Sequence, residues 1–354
     1  MRIDVLLKEA TDRGASDLHL TVGVPPLIRL HGELEPLDYS ELKPEDTANL
    51  VSQLMDEVQL EILAQNGELD FSYSLPGIGR FRVNAYRQRG QNGMAVRVIS
   101  EKIPDLEQLG LPDVVKEFAR KQKGLILVTG PTGSGKSTTL AAMINLINKE
   151  RRCHILTLED PIEFVHRHGK SMINQREIGY DTTSFAHALR AALRQDPDVI
   201  LVGEMRDPET IGIAITAAET GHLVMATLHT VDAPQTIDRI IDVFPPHHQQ
   251  QVRVQLANNL NGVIAQQLLK RKDGLGRVAA VEILVSTPAV RNLIREGKIH
   301  HIYSTIQTGA RFGMQSMDSH ICRLFESGLI SREEALKHAV DAESLAKTLA
   351  KVMP

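Results

Sequence analysis

A glycine-rich stretch at residues 130–137 reads Gly-Pro-Thr-Gly-Ser-Gly-Lys-Ser and matches the pattern GxxxxGK[ST] in full. Glycines leave no Cβ between the backbone N–H groups and a phosphate, and a helix N-terminus adds a positive dipole end. An apolar run at 125–129 precedes the stretch and a helical pattern at 138–148 follows it, which is the context that this pattern requires. The sequence therefore predicts a loop that binds the phosphates of a nucleotide.

Within this loop, a lysine and a serine have the expected chemical roles. The Lys136 ammonium is predicted to contact the β- and γ-phosphates, and the Ser137 hydroxyl to bind Mg²⁺. The predicted nucleotide-binding residues are Gly130, Pro131, Thr132, Gly133, Ser134, Gly135, Lys136, Ser137 and Thr138.

Two acidic clusters follow apolar runs that read as buried strands. Asp160 and Glu163 come after the run at 154–158, and Glu204 comes after the run at 199–202. Ligands bind at the carboxyl ends of strands in open α/β sheets. We expect Glu204 to hold the Mg²⁺ shell and Glu163 to polarise the attacking water. The reverse assignment stays open, as does a purely structural role in which these carboxylates cap the following helix.

Two histidines, His222 and His229, bracket another apolar run. Their seven-residue spacing corresponds to roughly 20 Å on a straight strand, so they cannot share one metal ion. We expect His229, at the carboxyl end, to sense the γ-phosphate or the water, and His222 to make a subunit contact. The alternative for both is a hydrogen-bonded structural histidine.

The elements that must position these residues indicate an α/β protein. Residues 1–100 read as a small α+β domain, 101–123 as a linker with an entry helix, 124–287 as strands alternating with helices, and 288–354 as mostly helical. Predicted strands lie at 17–20, 27–30, 70–75, 80–88, 94–100, 125–129, 154–158, 199–202, 223–228 and 277–284. One helix is predicted over 44–64, with hairpin turns at 76–79 and 91–93.

Composition narrows the classes of function. The chain has 354 residues, a net charge of −4 and two cysteines, Cys153 and Cys322. The charge gives no indication of a nucleic-acid partner, and two cysteines exclude a four-cysteine zinc site. The longest apolar runs are far below the ~18 residues of a membrane-spanning helix. We therefore expect a cytoplasmic protein without a transmembrane segment.

The ordered motifs resemble those of the secretion and type IV pilus ATPases. The run LRQDPDVILVGEMRD at 193–207 is similar to their signature, and the loop at 130–137 is their Walker A motif. The run at 158–163 matches their Asp box and the segment at 220–229 their His box. The resemblance covers essentially the whole chain. It implies a RecA-like ATPase motor with a PAS-like N-terminal domain, assembled as a homohexameric ring that uses ATP and Mg²⁺.

Three features narrow the resemblance to the pilus retraction ATPases. The chain starts almost at the PAS-like domain, lacks the tetracysteine element of assembly and secretion ATPases, and carries a run similar to the motif AIRNLIRE. That run is Ala289, Val290, Arg291, Asn292, Leu293, Ile294, Arg295 and Glu296. The resemblance implies that hydrolysis drives pilin disassembly and twitching, and that an inner-membrane platform protein is the partner at the cytoplasmic face. We expect Arg291 and Arg295, four residues apart, to form a basic stripe that couples hydrolysis to retraction. A helix packed into the core through Val290, Leu293 and Ile294 is the alternative. Assembly, type II secretion and a nucleotide-gated regulatory scaffold remain alternatives.

The resemblance also implies that arginines of the small domain neutralise charge on the γ-phosphate. Arg82 and Arg97 fit the family pattern, because each lies between apolar neighbours in a predicted strand and should project from the polar face. Ordinary solvated sheet arginines are the alternative for this pair. The resemblance makes the segment at 103–110 the hinge between domain and motor.

Overall fold

The computed structural model describes residues 1–30, 32–99 and 103–352. The chain divides into two compact units, one of residues 1–102 with 163–165 and the other of residues 103–162 with 166–354. The predicted boundary at 100–101, and with it the end of the predicted strand 94–100, lies outside the described residues. No helix in the described ranges is long and apolar enough to cross a bilayer.

The first unit is an antiparallel sheet covered by helices. Its elements are α1 (Ile3–Asp12), β1 (Asp17–Leu20), β2 (Leu27–Leu30), β3 (Glu33–Pro36), α2 (Pro44–Ser52), α3 (Glu57–Asn66), β4 (Glu68–Leu75), β5 (Gly79–Gln88) and β6 (Gln91–Ile99). The strand order is β3-β2-β1-β6-β5-β4. Alternate residues such as Phe81, Val83 and Val96 are buried in its core, which explains the two-residue periodicity of the sequence.

Two local predictions in this unit are wrong. The single helix predicted over 44–64 is two helices, because Asp56 caps α3 by accepting a 2.8 Å hydrogen bond from the Gln59 N–H. The hairpin turn predicted at 91–93 lies earlier, at Arg89 and Gly90, whose φ angles are 52° and 77°. Two consecutive positive φ angles match the twist of a tight hairpin, so residues 91–93 belong to β6.

The second unit is an α/β layer structure followed by helices. Its elements are α4 (Val114–Ala119), β7 (Gly124–Thr129), α5 (Lys136–Glu150), β8 (His154–Glu159), β9 (Met172–Glu177), α6 (Phe185–Ala192), β10 (Val199–Val202), α7 (Pro208–Glu219), β11 (Leu223–Leu228), α8 (Ala233–Asp242), α9 (Pro246–Asn259), β12 (Leu260–Lys270), β13 (Arg277–Val285), α10 (Pro288–Arg295), α11 (Ile302–Thr308), α12 (Met317–Glu326), α13 (Arg332–His338) and α14 (Ala342–Val352).

Seven strands form the sheet of this unit in the order β13-β12-β7-β11-β10-β8-β9. The strands from β12 to β9 are parallel to their neighbours, and β13 is antiparallel to β12. Every residue of β7, β10 and β11 is buried, as expected for strands covered by helices on both faces. The α/β fold class is therefore confirmed. Three of the observed strands, β3, β9 and β12, are not predicted by the sequence pattern.

Candidate nucleotide-binding site

The phosphate loop connects β7 to α5, as its sequence context predicts. Gly130 and Gly135 have φ angles of +141° and +88°, a region that residues with a side chain rarely adopt. A Cβ at Gly135 would lie 2.7 Å from the Nε2 atom of Gln266, and one at Gly130 would collide with the Gln266 carbonyl oxygen. The loop therefore needs glycine at both positions for its conformation and for its packing against β12.

Lys136 is the first residue of α5, and its side chain folds back over the loop. The Nζ atom donates hydrogen bonds to the carbonyl oxygens of Gly130 at 2.7 Å and Pro131 at 3.0 Å. These bonds fix the ammonium within the curve of the loop. The buried hydroxyl of Ser134 has no hydrogen-bond partner among the described residues. A fixed cation, an available hydroxyl and glycines at positions 130, 133 and 135 together fit the phosphates of a nucleotide.

A residue that no sequence motif marks, Gln266, also holds this loop. Gln266 on β12 donates from Nε2 to the Ser134 carbonyl oxygen and accepts at Oε1 from the Thr139 hydroxyl, each at 2.8 Å. The side chain is buried. Gln266 lies beside Gln267 in a stretch that the sequence did not assign to a strand, and no motif marks either residue.

Glu204 and His229 contact each other at the carboxyl ends of the parallel strands, on the side of the sheet that carries the loop. The Glu204 Oε1 atom lies 2.9 Å from the His229 Nε2 atom and also accepts a hydrogen bond from Arg206. His229 directly follows Leu228, whose register partner is Thr129, the last residue before the loop. The structure thus brings two of the predicted catalytic residues together beside the phosphate loop, on adjacent strand ends. The pairing with Glu204 raises the pKa of Arg206.

The Asp box connects β8 to β9 and holds its carboxylates in different environments. Glu159 accepts hydrogen bonds from the Thr157 hydroxyl at 2.6 Å and from the Gln175 amide at 3.1 Å. Glu163 is exposed and falls in the segment grouped with the first unit. Its predicted role in polarising water stays a prediction.

His222 has a structural contact at the opposite end of β11. Its Nδ1 atom lies 2.9 Å from the carbonyl oxygen of Ala217, in the last turn of α7. This bond ties the end of α7 to the start of β11 and uses one ring nitrogen. The predicted subunit contact of His222 would have to use the other.

The two arginines predicted to contact the γ-phosphate are register partners on β5 and β6. Both are exposed, in agreement with the predicted polar face. Arg97 donates to Asp17 at 3.0 Å, and Arg82 lies 3.8 Å from Asp70. The two arginines therefore lie on the same exposed face of the sheet, and each has a carboxylate neighbour.

The run Ala289–Glu296 forms α10 and the residue after it, with Thr287 as N-cap. Val290 and Ile294 are fully buried in the main core, whereas Ala289, Asn292, Arg295 and Glu296 are exposed. Arg291 is half-buried and its Nε atom lies 3.4 Å from the Ser286 hydroxyl. Of the two arginines on this helix, only Arg295 is exposed, and Leu293 packs against the core.

Comparison with known proteins identifies the family of this chain. The profile of the type II/IV secretion system proteins matches residues 1–337. The chain belongs to this family. It is 54% identical over 320 residues to a twitching motility protein of Neisseria gonorrhoeae, and this match covers 90% of this chain and 86% of the relative. It is 51% identical over 339 residues to the type IV pilus retraction ATPase PilT of Pseudomonas aeruginosa, and the match covers 96% of this chain and 98% of the relative.

The fold agrees with a solved structure of the same kind. A crystal structure of the pilus retraction motor PilT with bound ADP matches with a TM-score of 0.92 and 50% identity, covering 98% of this chain and 99% of that chain. The expected resemblance to secretion and pilus ATPases is therefore confirmed.

Proposed function

We propose that this chain is an ATP-hydrolysing motor that powers type IV pilus retraction. The 51% identity to PilT over 96% of this chain carries the proposal, and the geometry of the phosphate loop supports it. The proposal includes the predicted division into a PAS-like domain (1–100), a linker (101–123), a motor (124–287) and a helical region (288–354).

In this function the residues of the phosphate loop bind and orient ATP. Lys136 Nζ exchanges its two carbonyl partners for the β- and γ-phosphates, which are stronger acceptors because they are charged. Ser137 and Glu204 supply the oxygen ligands that Mg²⁺ prefers. A bound Mg²⁺ would neutralise charge on the phosphates during the transfer.

Other residues act on the water and on the γ-phosphate. Glu163 orients and deprotonates the attacking water. His229 fixes the Glu204 carboxylate through the 2.9 Å contact. Arg82 and Arg97 stabilise the negative charge that develops on the phosphoryl group. Motion of the small domain about the hinge at 103–110 then converts hydrolysis into mechanical work.

We also propose that the working form is a homohexameric ring that acts on an inner-membrane platform protein at the cytoplasmic face. If neighbouring subunits complete the site, ATPase activity per subunit falls when dilution dissociates the ring. Activity that stays constant across the dissociation range measured by light scattering would contradict this part.

The deciding experiment is made in cells that bear type IV pili. The gene is deleted and restored as wild type or as Glu204→Ala, and surface pili are counted alongside twitching motility. Abundant pili that do not retract, rescued only by the wild type, are expected. Cells without pili would indicate an assembly motor, and full rescue by Glu204→Ala would indicate a nucleotide-gated scaffold. Matched protein levels by immunoblot are the control.

A further inference from the structure

The carboxamide of Gln266 contacts two separate parts of the phosphate-binding element. Its Nε2 atom donates to the carbonyl oxygen of Ser134 in the loop, and its Oε1 atom accepts from the hydroxyl of Thr139 in the first turn of α5, each at 2.8 Å. Gln266 is only 2% exposed. One buried side chain on β12 thus joins the loop to the helix that follows it.

The bond to Ser134 constrains a peptide group of the loop. The carbonyl of Ser134 and the N–H of Gly135 belong to one planar trans peptide, in which they point in opposite directions. When Gln266 fixes the carbonyl toward β12, it directs the Gly135 N–H away from β12. Backbone N–H groups are the phosphate ligands in loops of this kind. The orientation of a phosphate ligand therefore depends on Gln266.

The bond to Thr139 holds the same carboxamide in its orientation. Because an amide presents its donor and its acceptor on opposite sides, the Thr139 hydroxyl at Oε1 leaves Nε2 facing Ser134. Thr139 lies three residues after Lys136 in α5. The two bonds consequently fix the loop relative to the helix turn that carries the phosphate-binding lysine.

We propose that Gln266 is a positioning residue that holds the phosphate loop in its nucleotide-binding conformation. This inference rests on the proposed ATPase function. Without the carboxamide, a buried carbonyl and a buried hydroxyl lose their partners, and the loop relaxes to satisfy them elsewhere. The cost of restoring the binding conformation then appears in the affinity for nucleotide.

The neighbouring Gln267 provides a matched control on the same strand. Successive residues of a strand point to opposite faces. The Gln267 Oε1 atom accordingly lies 3.0 Å from His338 Nδ1 on α13, not against the loop. Gln267→Met therefore removes a hydrogen-bonded glutamine from β12 and leaves the phosphate loop intact.

The test measures the dissociation constant for ADP in full-length wild type, Gln266→Met and Gln267→Met, well below the lowest unfolding temperature. Methionine keeps the unbranched shape and removes both bonds. We expect Gln266→Met to weaken ADP binding about tenfold and to raise the KM for ATP more than it lowers kcat. Gln267→Met should bind ADP within about twofold of wild type, because a lost bond to α13 affects stability and not the loop.

A second variant covers the case in which Gln266→Met does not fold. Thr139→Val removes only the hydroxyl that orients the carboxamide, and we expect about threefold weaker ADP binding. Wild-type affinity in either folded variant, or an equal loss in Gln267→Met, would overturn the inference. If the wild type itself binds neither ADP nor ATP, the proposed function fails instead.

Discussion

The contact between Glu204 and His229 allows a quantitative test of the site. A hydrogen bond to a charged group contributes about 1.5–3 kcal/mol when it is buried. The Glu204 side chain is 19% exposed and that of His229 is 45% exposed, and Glu204 keeps Arg206 as a second partner. We therefore expect His229→Ala to cost about 1 kcal/mol of transition-state stabilisation, which corresponds to about fivefold in kcat.

A double-mutant cycle on steady-state ATPase activity measures this coupling. Glu204→Gln alone should lower kcat about a hundredfold. If His229 acts by positioning Glu204, then His229→Ala has no further effect in the Glu204→Gln background. Arg206→Gln is the comparison variant, and its effect should be smaller because the Arg206 side chain is 77% exposed. An equal fivefold loss from His229→Ala in both backgrounds would refute the reasoning and indicate that His229 contacts the nucleotide itself.

Three further outcomes are expected. Burial raises the pKa of Glu282 to about 7 from 4.5, so the folded state binds the extra proton between these values and stability falls as pH rises through them. In denaturant unfolding, the free energy of unfolding of Glu282→Gln should therefore exceed that of the wild type by about 3 kcal/mol at pH 8 and by little at pH 4.5. An equal difference at both pH values would contradict this. Arg82→Ala should lower kcat about a thousandfold, and Arg87→Ala, which removes an exposed arginine of the same strand, should not. Equal losses would show that the effect comes from the charge of the domain and not from a contact of Arg82 with the γ-phosphate. Arg295→Ala should retain ATPase activity and lose twitching, and parallel loss of both would contradict a role in coupling.

Much of the site could be predicted because its parts are contiguous in sequence. The phosphate loop contains its glycines, Lys136 and Ser137 within eight residues, so the local sequence alone identifies them. Glu204 and His229 could be placed near it because acidic or imidazole groups at the ends of buried parallel strands meet at one sheet edge. Their direct contact and the partner Arg206 depend on side-chain conformation, which no spacing rule supplies.

Residues on β12 and β13 explain why the rest could not be predicted. Gln266 bonds a residue 127 positions away, and Glu282 accepts at 2.9 Å from the Ala233 N–H at the start of α8, 49 positions away. Each is a buried polar side chain that hydrogen-bonds to the first turn of a helix distant in the sequence. Periodicity and motifs depend on neighbouring residues and do not indicate such partners. The sequence does carry a signal, because Glu282 and the pair Gln266 and Gln267 interrupt otherwise apolar runs. Burying an amide or a carboxyl group without a partner costs several kcal/mol, so a polar residue within an apolar run predicts a distant partner even where the sequence does not identify that partner.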